Sequence, residues 1–236
     1  NINLKSDFEG LSLNQYYGSS AKNDLGTTTS SISFGKNIGA GNITFSASHF
    51  EQDPIFSRDR TLSASADGRM YGGTDQRSSA IPGGRFTLND NSVVRFDSDS
   101  QSFIAATDND LYNFSDITSA VSESQRDAIY LNGRYPLNSH TLLSGNLAFT
   151  RSTAVATLAP TPIFTAFSNT ALTVSKDNIY NPFKQDIEDI RYRAVEAGPR
   201  IQNNESNSYR ANIDLSGDFQ GYHWVLNWNW SKAQSE

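Results

Sequence analysis

Basic and aromatic residues gather between positions 69 and 86 of this 236-residue chain. Arginine and aromatic side chains at this density suit an anionic or a sugar ligand, because guanidinium groups pair with oxyanions and rings offer flat faces. A segment that simply packs on itself would look the same, so that alternative stays open. The candidate ligand contacts are Arg69, Tyr71, Arg77, Arg85 and Phe86.

Other chemistry-bearing residues lack the spacing that catalysis or metal binding requires. His49, His140 and His223 follow no metal-ligand pattern. Asp97-Ser98-Asp99 and Asp108-Asn109-Asp110 offer oxygen atoms to Ca²⁺, but without the glycine and distal glutamate of a calcium loop. Nucleophile elbows, phosphate loops and zinc-protease motifs are also missing from the sequence. We therefore expect no enzyme activity, no catalytic residue, no metal and no cofactor.

Composition narrows the class of protein. The chain has ten Tyr, fourteen Phe and three Trp, a mean hydropathy of −0.52 and many Ser, Asn, Asp and Gly residues, which favours strands and polar connections over helices. The net charge of −6 with scattered Lys and Arg argues against a nucleic-acid partner. The absence of cysteine excludes disulfides and thiolate metal sites.

Period-2 alternation of apolar and polar residues predicts about seven strands, most of them in hairpins. The connections within the hairpins are predicted at Gly35 to Asn42, Pro136 to His140 and Asp218 to Gly221, and a short loop is predicted from Gly18 to Gly26. The predicted strands are Leu11 to Tyr17, Ser31 to Phe34, Ile43 to Ser48, Ile129 to Tyr135, Leu143 to Thr150, Tyr209 to Ser216 and Tyr222 to Ser231.

Two connections are far longer than the others, at about residues 53–125 and 154–207. Connections of this length are rare in compact soluble domains. Transmembrane barrels, in contrast, combine short turns at one end with long loops at the other. Within the second connection, Thr153 to Phe167 is apolar but interrupted by Pro160 and Pro162, and it is predicted to be a loop.

Aromatic residues stand near the ends of the predicted apolar faces. Rings with a polar edge favour the boundary between lipid and water. The last four strands carry no Lys, Arg, Asp or Glu on that face, where a charge at the membrane midplane would cost about 2–4 kcal/mol. The candidate membrane-interface residues are Tyr135, Phe149, Tyr209, Phe219, Tyr222 and Trp230.

Short motifs along the chain resemble the TonB-dependent receptors of Gram-negative outer membranes. Asn1-Ile2-Asn3-Leu4-Lys5 and Asp7-Phe8-Glu9-Gly10-Leu11 look like the exit from the plug domain of that family into its first barrel strand. Asp53 to Arg60 looks like the start of a long extracellular loop. Tyr180-Asn181-Pro182-Phe183, Arg191-Tyr192-Arg193 and Glu196 to Arg200 resemble a segment of its large proteobacterial members.

The resemblance implies an all-β fold, an antiparallel up-and-down transmembrane barrel of which this chain carries about seven strands. Residues 1–7 would end the plug domain and residues 8–236 would form part of the barrel, with short periplasmic turns and long extracellular loops. The implied function is energy-coupled import of a scarce nutrient, such as a siderophore, cobalamin or an oligosaccharide. The implied partners are outer-membrane lipid, that nutrient, and the TonB complex through the missing plug region.

A soluble or surface-attached all-β protein for carbohydrate binding or adhesion is the alternative. Its strands would stack as a sandwich, and the tryptophans near the end of the chain would then be a sugar platform. Their period-2 placement beside Leu226 favours contact with lipid instead.

Overall fold

The computed structural model describes residues 7–167 and 172–236, over which the chain is all-β with antiparallel sheets. Most of the predicted plug exit, residues 1–6, therefore lies outside the described residues, as do positions 168–171 of the second long connection. The strands are β1 (Gly10–Gly18), β2 (Thr27–Ile38), β3 (Gly41–Gln52), β4 (Ile55–Phe56), β5 (Arg85–Thr87), β6 (Val93–Asp97), β7 (Ser102–Ala105), β8 (Ser119–Val121), β9 (Glu123–Asn138), β10 (Thr141–Leu158), β11 (Pro162–Phe164), β12 (Asp189–Arg193), β13 (Arg200–Phe219) and β14 (Tyr222–Ser235). Short 3₁₀ helices span Ser57–Asp59, Arg69–Tyr71, Asp108–Asp110, Phe114–Asp116, Thr165–Phe167 and Val195–Ala197.

The chain forms two compact units. The seven-strand unit comprises Asn1–Ile55, Ser122–Val155 and Asn203–Glu236, and the five-strand unit comprises Phe56–Val121 and Ala156–Gln202. The two long connections predicted from the sequence thus fold together into one unit. Across the part of the chain that is described, no helix has the length and hydropathy needed to cross a membrane.

The seven-strand unit is a sheet in the order β1-β2-β3-β9-β10-β13-β14. All seven predicted strands are present. Their order in the sheet is the order in which they follow one another along the chain. Among the described residues β1 pairs with β2 alone and β14 with β13 alone, so these two are edge strands.

The hairpin turns are tighter than the sequence suggested. The turns fall at Gly39–Ala40, Ser139–His140 and Gln220–Gly221, because β2, β9 and β13 each continue farther than predicted. Gln220 and Gly221 both have positive φ, 51° and 83°, as a two-residue hairpin turn requires.

The prediction that Thr153 to Phe167 is a loop is wrong at both ends. Strand β10 continues to Leu158, with Val155 in register with Glu123 of β9, and Pro162 begins the short strand β11. A proline is tolerated there because it is the first residue of a strand at the edge of its sheet.

Register divides the seven-strand sheet into two faces. We call the apolar face the side that bears the row Leu13, Ile32, Ala47, Ile129 and Phe149, each paired with the next across β1, β2, β3, β9 and β10. The polar face is the opposite side. Its matching row is Thr44, Asn132 and Asn146, which continues through Asn212 to Asn229.

The five-strand unit has its own sheet, in the order β11-β12-β5-β6-β7. The buried apolar side chains among the described residues of this unit are Ala80, Ile81, Ala159, Pro160 and Ile187. Among the described residues of the seven-strand unit, in contrast, Ile55 alone is a buried hydrophobic residue. The large apolar side chains of that unit therefore lie on its surface.

Candidate functional site

Arg69 and Arg77, two predicted ligand contacts, are neutralised by aspartates two residues before each of them. Arg69 donates to both carboxylate oxygens of Asp67, at 2.8 and 2.6 Å, and Arg77 donates to Asp75 at 3.0 and 2.7 Å. Cross pairs of 3.3 Å (Arg69–Asp75) and 3.8 Å (Arg77–Asp67) close a ring of four alternating charges. The hydrogen bond from Arg69 lowers the pKa of Asp67 to about 2. These guanidinium groups are already saturated with carboxylate.

Tyr71 joins the same region through its hydroxyl, which donates to the carbonyl oxygen of Thr61 at 3.3 Å. Tyr71 is the last residue of the short 3₁₀ helix Arg69–Tyr71, and the next residue, Gly72, has a φ of +79°. The structure therefore brings Arg69, Tyr71 and Arg77 into one short segment. No described contact joins them to Arg85 or Phe86.

Arg85 and Phe86 are neighbours on β5 and point to opposite faces of the five-strand sheet. Phe86 belongs to an aromatic cluster, with ring centroids 5.6 Å from Phe103 and 5.9 Å from Phe183. Phe96 and Phe183 flank Phe103 at 5.4 and 4.6 Å. The ring of Phe86 therefore packs against other aromatic rings of this unit.

Arg85 lies at the centre of a row of arginines. It is in register with Arg191 of β12 on one side and with Arg95 of β6 on the other. Residues directly opposite each other on neighbouring strands share a face and lie about 4.5–5.5 Å apart at their Cβ atoms. Three arginine side chains therefore leave neighbouring positions of β12, β5 and β6 on the same face of the sheet.

The outer arginines of this row have carboxylate partners. Arg191 donates to Asp189 at 3.0 Å, and Arg95 lies 3.1 Å from Asp97 and 2.6 Å from Asp110. Burial alone would raise the pKa of Asp189, but hydrogen bonds from Arg191 and Thr87 outweigh it and hold that pKa below its ordinary value. Arg85 also helps to lower the pKa of Asp189 by its charge, but no described carboxylate forms an ion pair with it within 4 Å, and its buried Nε atom has no hydrogen-bond acceptor.

Arg193, two residues beyond Arg191 on the same face, is a buried cation held by neutral groups. It is 4% exposed and donates to the carbonyl oxygen of Pro160 at 2.7 Å and to the hydroxyl of Ser78 at 2.6 Å. Its guanidinium lies 5.0 Å from the ring centre of Tyr112. Desolvation lowers its pKa from the usual value for arginine.

The six predicted interface aromatics all lie on the apolar face of the seven-strand sheet. Phe149 and Tyr209 are in contact at 5.0 Å between ring centroids, and Phe219 is paired with Tyr222 beside the last hairpin turn. They form two groups, one toward the hairpin turns and one toward the opposite strand ends. The first group is Tyr135, Phe219 and Tyr222, and the second is Phe149, Tyr209 and Trp230.

The apolar face ends abruptly at a row of polar residues. Two positions along each strand from the row that defines the face, Gln15, Ser30, His49, Asp127 and Arg151 follow one another in register. His49 Nδ1 lies 2.7 Å from Asp127 Oδ1. Arg151 continues the row by an ion pair of 2.8 Å with Glu205 of β13. A groove of about 630 Å³ lies at this border, lined among others by Leu13, Ile32, His49, Asp127 and Ile129.

Arg95 and Arg191 were not predicted as neighbours of Arg85, because the register between strands from distant segments cannot be derived from local sequence. One difference among the predicted arginines is nevertheless present in the sequence. Arg69 and Arg77 each follow an aspartate by two residues, whereas Arg85 has no acidic residue within two positions. Within the described residues, no group of three or more His, Asp or Glu side chains could hold a metal ion.

Comparisons with protein-family models, with curated proteins and with solved structures each found no match for this chain.

Proposed function

We propose that the seven-strand unit is part of a transmembrane β-barrel in a Gram-negative outer membrane, and that the chain belongs to a receptor of the TonB-dependent kind. Such a receptor imports a scarce nutrient, a siderophore, cobalamin or an oligosaccharide, with energy delivered through TonB. The observation that carries the proposal is the exposed apolar face, uncharged across β9, β10, β13 and β14 between its two groups of aromatics.

The exposure of this face is hard to reconcile with water as its surroundings. Leu13, Leu147, Leu226 and Trp228 are between 54% and 69% exposed, and they belong to one continuous face. Burying a large apolar side chain is worth about 1.5–3 kcal/mol relative to leaving it exposed. Soluble monomers rarely expose an apolar patch of more than a few hundred Å². Lipid hydrocarbon could cover this face without burying a charged side chain of β9, β10, β13 or β14 between the two groups of aromatics.

The height of the face suits a bilayer. Tyr209 and Phe219 are ten positions apart on β13, which is about 34 Å along a strand at roughly 3.4 Å per residue. At a strand tilt of about 40° this corresponds to ~26 Å along the membrane normal, close to the apolar band of about 25 Å in outer-membrane barrels. Two lysines of this face stand near its ends, Lys36 of β2 near the turn at Gly39 and Lys232 of β14 in register with Tyr209, where a long side chain reaches the polar boundary.

The polar face suits a water-filled lumen. Asn146 Nδ2 donates to Asn212 Oδ1 at 3.3 Å, and Asn212 Nδ2 donates to Asn229 Oδ1 at 2.6 Å. Arg134 and Arg210 also stand on this side, where charges cost little beside water. Both long connections leave the sheet at the strand ends opposite the two-residue turns, as extracellular loops would.

Adjacent residues on β14 provide a matched test of the membrane proposal. Leu226 is paired with Leu215 on the apolar face, and Asn227 is paired with Asp214 on the polar face. In the full-length protein, we expect Leu226→Arg to prevent accumulation in the outer-membrane fraction, while Asn227→Arg accumulates normally beside Asp214. Equal accumulation of both variants would contradict a lipid-facing Leu226 and favour the soluble alternative.

Import is tested separately from membrane location. A strain lacking the receptor should lose TonB-dependent growth on one of the three nutrient classes, and the intact gene should restore it. Normal growth of that strain on all three classes would leave the barrel standing and exclude these substrates.

A further inference from the structure

We infer that Arg85, at the centre of the row Arg191–Arg85–Arg95, binds an oxyanion, a carboxylate or phosphate group of a ligand. The row itself is energetically unfavourable. Like charges directly opposite each other on neighbouring strands destabilise a sheet. Direct ion pairs offset this cost at both ends, with Asp189 for Arg191 and with Asp97 and Asp110 for Arg95, whereas Arg85 at the centre has only a longer-range interaction with Asp189.

The Arg85 side chain lacks a direct partner within the described part of the chain. Its Nε atom is buried and has no well-directed hydrogen-bond acceptor, as is also true of Arg95 Nε, but Arg95 Nε has a carboxylate oxygen of Asp110 at 2.6 Å, whereas no described residue forms an ion pair with the Arg85 guanidinium. A buried donor without an acceptor costs about 1–3 kcal/mol, and more when it is charged. Buried polar groups in native proteins nearly always have a partner, so an orphaned guanidinium nitrogen calls for an acceptor from outside the chain.

The chemistry of guanidinium indicates which acceptor fits Arg85. Guanidinium presents a planar fork of donors that matches carboxylate and phosphate oxygens in pairs. The three arginines of the row and their three aspartates sum to zero, and Arg193 on the same face, with no carboxylate partner, leaves an excess of one positive charge. Because this net charge is small, we expect directed hydrogen bonds to contribute more to the affinity than overall electrostatic attraction. Binding should therefore depend on the geometry of the guanidinium group.

Anion binding is measured on the whole purified protein by calorimetry, with citrate and inorganic phosphate as probes against chloride at matched ionic strength. Citrate binding without phosphate binding assigns a carboxylate site, and the reverse assigns a phosphate site. We expect Arg85→Gln to weaken binding about tenfold to a hundredfold, as loss of a charge-assisted hydrogen bond implies. Arg85→Lys should restore little of it, because an ammonium cannot form the paired bonds.

Arg69→Gln is the matched control, because Arg69 is in the same unit but already saturated by Asp67. It should change the affinity by less than about twofold, as expected for a distant independent site. An equal loss in both variants would mean nonspecific attraction to positive charge and would overturn the inference. Unchanged binding in Arg85→Gln, or no binding to the wild type at millimolar anion, would also overturn it.

A direct readout covers the case in which Arg85→Gln folds poorly. The Nε–H resonance of Arg85 in the wild-type protein should shift on titration with the anion, while that of Arg69 stays in place. A resonance that does not move contradicts the site. The inference concerns binding alone, so its failure would leave the membrane proposal intact, and failure of that proposal would leave this measurement unaffected.

Discussion

The carbonyl oxygen of Phe8 occupies the space that a side chain at Gly35 would need. The same oxygen accepts a hydrogen bond of 2.9 Å from Asn42 Nδ2, which also donates to Asn37 Oδ1 at 2.8 Å. The chain before β1 therefore crosses the polar face of the sheet, over a glycine and beside two asparagines. In the transport proposal, this is the side on which the plug would lie.

Gly35→Ala should destabilise the seven-strand unit by about 1–3 kcal/mol, the usual cost of inserting a group into an occupied space. Gly133→Ala is the matched control, because a Cβ there meets nothing within 4 Å. Urea unfolding of both variants measures the difference. Equal stability of the two would show that the segment around Phe8 does not pack against Gly35.

Acid should weaken the five-strand unit as Asp67 is protonated. Its pKa is about 2 in the fold and about 3.9 unfolded, so its contribution is complete above roughly pH 4 and is lost as the pH falls toward 2. Melting temperatures between pH 5 and 2 should therefore fall less steeply in Asp67→Asn than in the wild type. Asp99→Asn is the control, since no hydrogen bond or ion pair joins Asp99 to another described residue, and it should follow the wild-type curve.

Asn212 is the central member of the asparagine row and is 7% exposed. Asn212→Ala removes the partner of both Asn146 and Asn229, so we expect a loss of about 1–3 kcal/mol in the free energy of unfolding. Asn14→Ala, at an exposed asparagine of the same face, should cost less than about 0.5 kcal/mol because water replaces its hydrogen bonds. Similar losses in the two variants would contradict the role of burial.

Arg193→Met should open the five-strand unit to proteolysis. The substitution leaves the carbonyl oxygen of Pro160 and the hydroxyl of Ser78 without their donor, at a cost of about 3 kcal/mol or more. Arg58→Met removes an exposed arginine that also donates to a carbonyl, that of Asp116, and should change the cleavage rate little. Equal protease resistance of the two variants would show that Arg193 is not structurally required.

Local alternation was sufficient to predict the seven long strands and the face on which each of the six aromatics lies. It could not predict the five-strand sheet, whose pairings join distant segments. Thr87 and Asp189, for example, are hydrogen-bonded across 102 positions. The candidate ligand residues likewise have features that local sequence predicts and features that only the folded structure determines. Their clustering was visible in the sequence, but the ion pairs of Arg69 and Arg77, and the lack of a direct ion pair at Arg85 among the described residues, depend on geometry.

The two edge strands of the seven-strand sheet constrain how the protein could reach a membrane. On β14, about half of the 14 residues direct their N–H and C=O groups away from β13. Water satisfies such groups, but in hydrocarbon each would cost several kcal/mol. In the membrane proposal, these edges must acquire neighbouring strands before or while the apolar face meets lipid. Insertion would then depend on strand closure, because a sheet with open edges is unstable in hydrocarbon.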